Sequence, residues 1–272
     1  MKNQKMINLP FIETVSRSFM YTLCNWELFL KTASLGLIVV VLEMFSGFPI
    51  LCSLSSTACA DPNSLMARLS ALLVLLISVA VIVNYCRAII LKAPVDFFSC
   101  VFVRRVLFYI LATLLLALAI ILPFILLVLF YGVILATIGS NIEPGAVSYL
   151  VFWIALIAWC VFLAPVFLVF AAITVDDKSM TVKEAFRLSR GNFNKIFWGQ
   201  TVLMIPGAVA IFLLSLIYQA MAVESYAVKF IFMVMVLGLS FLDSCFKASF
   251  FAHIYQYFTF YKDKELDSEK DA

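Results

Sequence analysis

The residues best suited to chemistry in this chain are charged or polar side chains set within long apolar segments. Asp243 and Lys247 stand four positions apart, so on a helix they share one face and can form an ion pair. Asn84 and Arg87 occur near the end of an earlier apolar segment. Because a charge in hydrocarbon is costly, such residues either clamp helices together or line a path for protons or ions. We expect these four residues to form an intramembrane polar cluster, with the clamp favoured over the ion pathway.

Residues that would support catalysis or hold a metal are scarce. The chain has one histidine and seven cysteines, none of them in a C-x-x-C pair. It contains no H-E-x-x-H, G-x-S-x-G or G-x-x-x-x-G-K-[ST] motif. We therefore expect no enzymatic activity, cofactor or metal, and a net charge of +3 does not suggest a nucleic-acid partner. Cys52 and Cys59 are expected on the outer side, where they either form a disulfide or stay reduced.

A basic stripe lies within the long polar break between residues 176 and 200. Thr181 and Glu184 form a T-x-x-E capping box, which predicts that a helix begins there. Basic residues recur at helical spacing after it, which is typical of a helix lying flat at a membrane surface, with a solvated loop helix as the alternative. The residues expected to contact anionic lipid headgroups or a partner protein are Lys183, Arg187, Arg190, Lys195, Arg104 and Arg105.

The composition is that of a chain whose main solvent is lipid. Of its 272 residues, 65% are hydrophobic and 13% charged, against about 45–50% and about 25% in soluble domains. We predict an all-α polytopic membrane protein with an amphipathic leader (1–27), a six-helix membrane domain (28–258) and a disordered charged tail (259–272). Each expected span is long enough to cross a hydrocarbon core of about 30 Å. The six spans are residues 28–49, 69–91, 106–138, 149–175, 196–222 and 228–255.

The distribution of positive charge predicts the orientation. All but four of the 19 Lys and Arg residues fall in the leader, the turn near 87–105, the polar break or the tail. The exceptions are Lys31, which follows the leader closely, and Arg68, Lys229 and Lys247. By the positive-inside rule both termini are expected in the cytoplasm, for a multi-pass protein of a bacterial inner membrane.

The polar break resembles the leader. Phe19 is followed six residues later by Asn25, and Phe186 is followed six residues later by Asn192; each Asn opens an apolar segment. A weaker copy lies at 94–105. The spacing suggests three repeats, each a surface elbow helix followed by a two-span hairpin, with chance similarity of a few positions as the alternative.

The segment E-A-F-R-L-S-R-G-N-F, residues 184–193, resembles a group of bacterial six-helix inner-membrane proteins. The group includes the membrane domain of some glycerophosphoryl diester phosphodiesterases and related uncharacterised membrane proteins. The resemblance implies an integral membrane protein with a structural, lipid-related or partner-supporting role, without the phosphodiesterase chemistry. Its expected partners are anionic membrane lipids, and a membrane protein or a second copy of the chain.

A transporter or permease subunit is the alternative function. The segment 181–197 would then be a cytoplasmic coupling helix, as in the E-A-A-x-x-x-G loop of ATP-binding-cassette importers. Glu184 and Ala185 match that pattern, but Gly191 lies one residue too far along.

Overall fold

The fold is helical throughout the part of the chain that the structure describes. A computed structural model covers residues 8–34, 65–92, 94–95, 103–138, 146–221 and 226–270, and no strand occurs within these ranges. They form nine helices, which follow from the scarcity of internal helix breakers in long apolar runs. In chain order the helices are α1 Phe11–Cys24, α2 (residues 26–34), α3 Leu65–Leu91, α4 Val103–Ile138, α5 Ala146–Leu163, α6 Val166–Thr174, α7 Val182–Leu188, α8 Phe193–Ala220 and α9 Tyr226–Lys270.

Helix α9 is the centre of the bundle. It packs against α1, α3, α6 and α8. In the apolar segment of α9, within Val234–Tyr261, 50% is buried inside the protein. The corresponding share is 22% in Phe193–Ala220 of α8 and 11% in Arg104–Pro123 of α4. The outer helices therefore present most of their apolar side chains outward, as helices surrounded by lipid do.

Several helices are long and apolar enough to cross a membrane. Three qualify singly among the described residues, and a fourth if α5 and α6 form one bent span. The bend of 41° falls at Pro165, as a proline within an apolar run predicts. In contrast, α4 runs unbroken through Pro123 and α8 through Pro206. Most of the expected first span, together with Cys52 and Cys59, lies outside the described residues.

The C-terminal residues differ from the expectation of disorder. Helix α9 continues to Lys270, so most of the segment 259–272 is helical in the structure. Extending an existing helix needs no new nucleus, and the Lys, Glu and Leu residues of this segment are good helix formers. The charged composition of the segment predicted disorder because it does not show that the segment continues a helix that has already formed.

Two glycines bring α8 close to α9. Gly199, Leu203 and Gly207 recur every four residues on the buried face of α8. A Cβ added at Gly199 would lie 2.4 Å from Cζ of Phe250, and one added at Gly207 would lie 3.1 Å from Oδ1 of Asp243. Glycines on the contact face of a membrane helix let the neighbouring helix approach its backbone closely.

Candidate functional site

The N-terminal segment is held at one end of the bundle by the start of α8. The buried backbone N–H of Leu9 donates to Oδ1 of Asn192 (2.9 Å), and Nζ of Lys195 donates to the Leu9 carbonyl (2.9 Å). The hydroxyl of Tyr257 on α9 donates to the Asn8 carbonyl (2.9 Å). Lys195, which the sequence suggested as a headgroup contact, therefore lies against the main chain of the leader.

The segment 176–192, which we call the connector, is tied to α9 and α4 at the same end. The hydroxyl of Tyr255 donates to Oδ2 of Asp177 (2.6 Å). Arg105, near the start of α4, forms an ion pair with Asp176. The Arg105 hydrogen bond holds the pKa of the Asp176 carboxyl below its usual value. Both contacts fix the path of the connector against the bundle.

Helix α7 forms the middle of the connector and begins where the capping box predicts. Oγ1 of Thr181 accepts a hydrogen bond from the backbone N–H of Glu184 (3.3 Å). The Glu184 carboxylate accepts two bonds from Arg187, of 2.9 and 2.7 Å. Ala185 and Leu188 are buried and dock the helix. The Thr181 bond of the predicted capping box is thus present, and Arg187 is paired with Glu184 within its own helix.

The six basic residues suggested for lipid contact separate into two groups. Arg105, Arg187 and Lys195 are used in contacts within the protein, as described above. Lys183 and Arg190 are exposed on the connector, and Arg104 lies 5.6 Å from the centre of the Phe108 ring. Apolar side chains are also exposed in this part of the chain: Val182, which precedes Lys183, is 50% accessible, and Trp198 in α8 is 48% accessible. Exposed basic and apolar side chains together are typical of a membrane interface.

The structure pairs two members of the expected intramembrane cluster. Nζ of Lys247 lies 2.6 Å from Oδ2 of Asp243 on α9. The other carboxylate oxygen, Oδ1, is buried next to Gly207 and has no hydrogen-bond partner among the described residues. Asn84 and Arg87 lie on the neighbouring helix α3, with Asn84 buried and Arg87 partly buried, and the ion pairs of the described residues do not join Arg87 to Asp243. The geometry is that of a charge pair neutralised within one helix.

Sequence reasoning missed the polar part of the face on which α1 packs. Its buried residues are Thr14, Ser18 and Thr22, and the partly buried Phe19 stacks on Phe246 of α9 with ring centroids 4.8 Å apart. Ser249 of α9 donates to the Ser18 carbonyl (3.1 Å), and Ile12 is 80% exposed. The spacing of four between small polar residues was the available signal, since such residues mediate close helix contacts in membranes.

His253 lies in the same contact between α1 and α9. Its Nδ1 is 2.7 Å from the Ser249 carbonyl oxygen and 3.4 Å from Oγ of Ser18. The ring meets Tyr21 edge-on, with centroids 5.6 Å apart. His253 is buried and joins the two helices. No group of three or more metal-ligating side chains is found among the described residues.

Comparison with protein families, with characterised proteins and with solved structures gives no match to this chain.

Replacing Asn192 by alanine is expected to loosen the N-terminal segment. The buried Leu9 N–H would lose its acceptor, which costs about 1–3 kcal/mol when a buried donor is left unsatisfied. Hydrogen exchange followed by mass spectrometry should show faster exchange in peptides covering residues 8–14. Asn194→Ala is the matched control, because Asn194 is exposed. Equal exchange in both variants would show that Asn192 does not hold the leader.

Proposed function

We propose that this is a non-catalytic multi-pass protein of a bacterial inner membrane that binds anionic lipids through its connector. Both termini are assigned to the cytoplasm by the positive-inside rule. The single observation that carries the proposal is the exposure of Lys183 and Arg190 on a connector that is otherwise fixed to the bundle. A basic side chain held near the membrane plane gains about 1 kcal/mol from an anionic surface.

The rigidity of the connector supports this proposal. Tyr255 and Arg105 bind its first residues, Asp177 and Asp176. At its other end, Asn192 is bound to the backbone of Leu9. A fixed connector loses little conformational freedom when a headgroup binds, so more of the electrostatic attraction remains as affinity. The exposed Trp198 lies one turn into α8, where aromatic residues favour the boundary between headgroups and acyl chains.

Reversing the two exposed charges tests the proposal. In nanodiscs, phosphatidylglycerol should raise the unfolding temperature of the wild-type protein relative to phosphatidylcholine. The variant Lys183→Glu with Arg190→Glu should lose most of that increase, because two attractions of about 1 kcal/mol each become repulsions. The variant Lys183→Arg with Arg190→Lys keeps the charge and should behave as wild type. An unchanged lipid dependence in the charge-reversed protein would rule out this role of the connector.

A transporter or permease subunit is the second candidate. It is favoured by the form of α7, a short helix with buried Ala185 and Leu188 on one side and exposed Lys183 on the other. Such a helix could act as the coupling helix of segment 181–197, docking on an ATPase. Stoichiometric co-purification of an ATPase that is lost on Lys183→Glu would support this function over lipid binding.

A further inference from the structure

An open cavity lies at the junction of α1, α2 and the end of α3. Its volume is about 450 Å³, within the range of about 300–1,000 Å³ typical of small-molecule sites. Asn25, Glu27 and Lys31 line it from the α1–α2 junction, and Lys92 and Val95 line it from the end of α3. The cavity is separate from the connector, and none of the residues discussed there as lipid contacts lines it.

The charges of this cavity match a phosphodiester. Nζ of Lys31 lies 2.7 Å from Oε1 of Glu27, so these two charges neutralise each other. Lys92 follows directly after α3 and is exposed, and no ion pair of Lys92 occurs among the described residues. The lining therefore carries a formal charge of about +1, which a single phosphodiester charge would balance. Asn25 adds an amide, oriented by its bond to the Tyr21 carbonyl (2.8 Å).

Apolar surface continues outward from the same cavity. Leu28 and Val95 belong to its lining. The neighbouring side chains of Trp26, Leu30 and Leu91 are 51%, 44% and 48% exposed. A charged recess bordered by exposed apolar side chains fits an amphiphile whose headgroup enters the recess while its acyl chains lie along the helices. A free phosphate ion would leave this apolar border unused.

We propose that the cavity binds one monoanionic glycerophospholipid from the surrounding leaflet, with its phosphodiester at Lys92. Lys31 and Asn25 position the headgroup, and the exposed Leu30 and Leu91 contact the acyl chains. The inference does not depend on the connector, because the two sets of basic residues do not overlap. A protein that fails the connector test can still bind lipid here, and the reverse also holds.

The test measures binding of single lipids to the full-length protein in detergent by native mass spectrometry. The probe is short-chain phosphatidylglycerol, with the connector left intact. Lys92→Asn should weaken its binding about fivefold, the loss expected for one basic side chain at an anionic site. Asn is chosen because Lys92 has a φ of 51°, a conformation that Asn tolerates. Lys92→Arg should retain wild-type affinity, and it serves as the readout if the Asn variant does not fold.

Three outcomes would overturn the proposal. Arg17→Gln removes one positive charge from an exposed position outside both the cavity and the connector, so an equal loss there would mean unspecific surface attraction. Equal binding of short-chain phosphatidylcholine would contradict the charge match. Displacement of the lipid by an equal concentration of inorganic phosphate would show that the site recognises phosphate alone, without the acyl chains.

Discussion

Replacing Lys247 by methionine is expected to lower the free energy of unfolding by about 3 kcal/mol, the lower end of the cost of removing one partner of a buried ion pair, because this pair is only partly buried. The Lys247 side chain is 23% exposed and that of Asp243 16%, and their charged atoms are 2.6 Å apart. Oδ1 of Asp243, beside Gly207, has no hydrogen-bond partner in the part of the chain that the structure describes, so little there compensates the carboxylate once Lys247 is removed. Titration with a denaturing detergent should measure the loss.

The double variant Asp243→Asn with Lys247→Met is the decisive control. It removes both charges while keeping the approximate shape of the side chains, so most of the lost stability should return. This recovery is the signature of a clamp that acts through charge neutralisation. If Lys247→Met leaves stability unchanged, the clamp is contradicted and the ion-pathway alternative for this pair gains support.

Replacing Gly199 by leucine is expected to disrupt the contact between α8 and α9. Even the first added atom would lie 2.4 Å from Cζ of Phe250, which is fully buried and cannot swing aside into open space. Inserting atoms into a packed contact costs about 1–3 kcal/mol, and a leucine adds four. Lower yield of folded protein and a lower unfolding temperature should follow.

Two further variants separate this packing effect from a general intolerance of glycine substitution. Gly238→Ala introduces a Cβ with no heavy atom within 4 Å and should be neutral or stabilising, since alanine favours a helix by about 1 kcal/mol. Adding Phe250→Ala to Gly199→Leu should restore part of the stability by making room. Equal damage from Gly238→Ala and Gly199→Leu would mean that the close approach at Phe250 is not the cause.

Much of the architecture could be predicted from the apolar pattern, because long hydrophobic runs have few alternatives to helices in lipid. The capping residue Thr181 and the break at Pro165 were also predictable, since each acts through its own backbone. The described residues contain three or four candidate spans, and the expected six spans and threefold repeat stay predictions. One parallel is visible: Asn25 and Asn192 each separate a short helix from the next helix.

The contacts of the candidate site were less predictable, because they join residues far apart in the chain. Lys195 and Arg187 look alike in the sequence, yet one binds the leader and the other pairs with Glu184. The residues of the Asn192–Leu9 contact are 183 positions apart, and no local sequence pattern predicts that they meet. The polar part of the buried face of α1 was not predicted, because small polar residues such as Ser18 carry no apolar signal in the sequence, yet they let α1 approach α9 closely.

Binding of anionic lipid by the connector can be tested by purifying the protein from its native membrane in mild detergent and identifying the bound lipids and proteins by mass spectrometry. Binding of anionic lipids through the exposed Lys183 and Arg190 predicts retained anionic glycerophospholipid, and much less of it on the charge-reversed variant. A stoichiometric ATPase with no enrichment of anionic lipid would contradict the lipid-binding account and assign the connector to a transport complex.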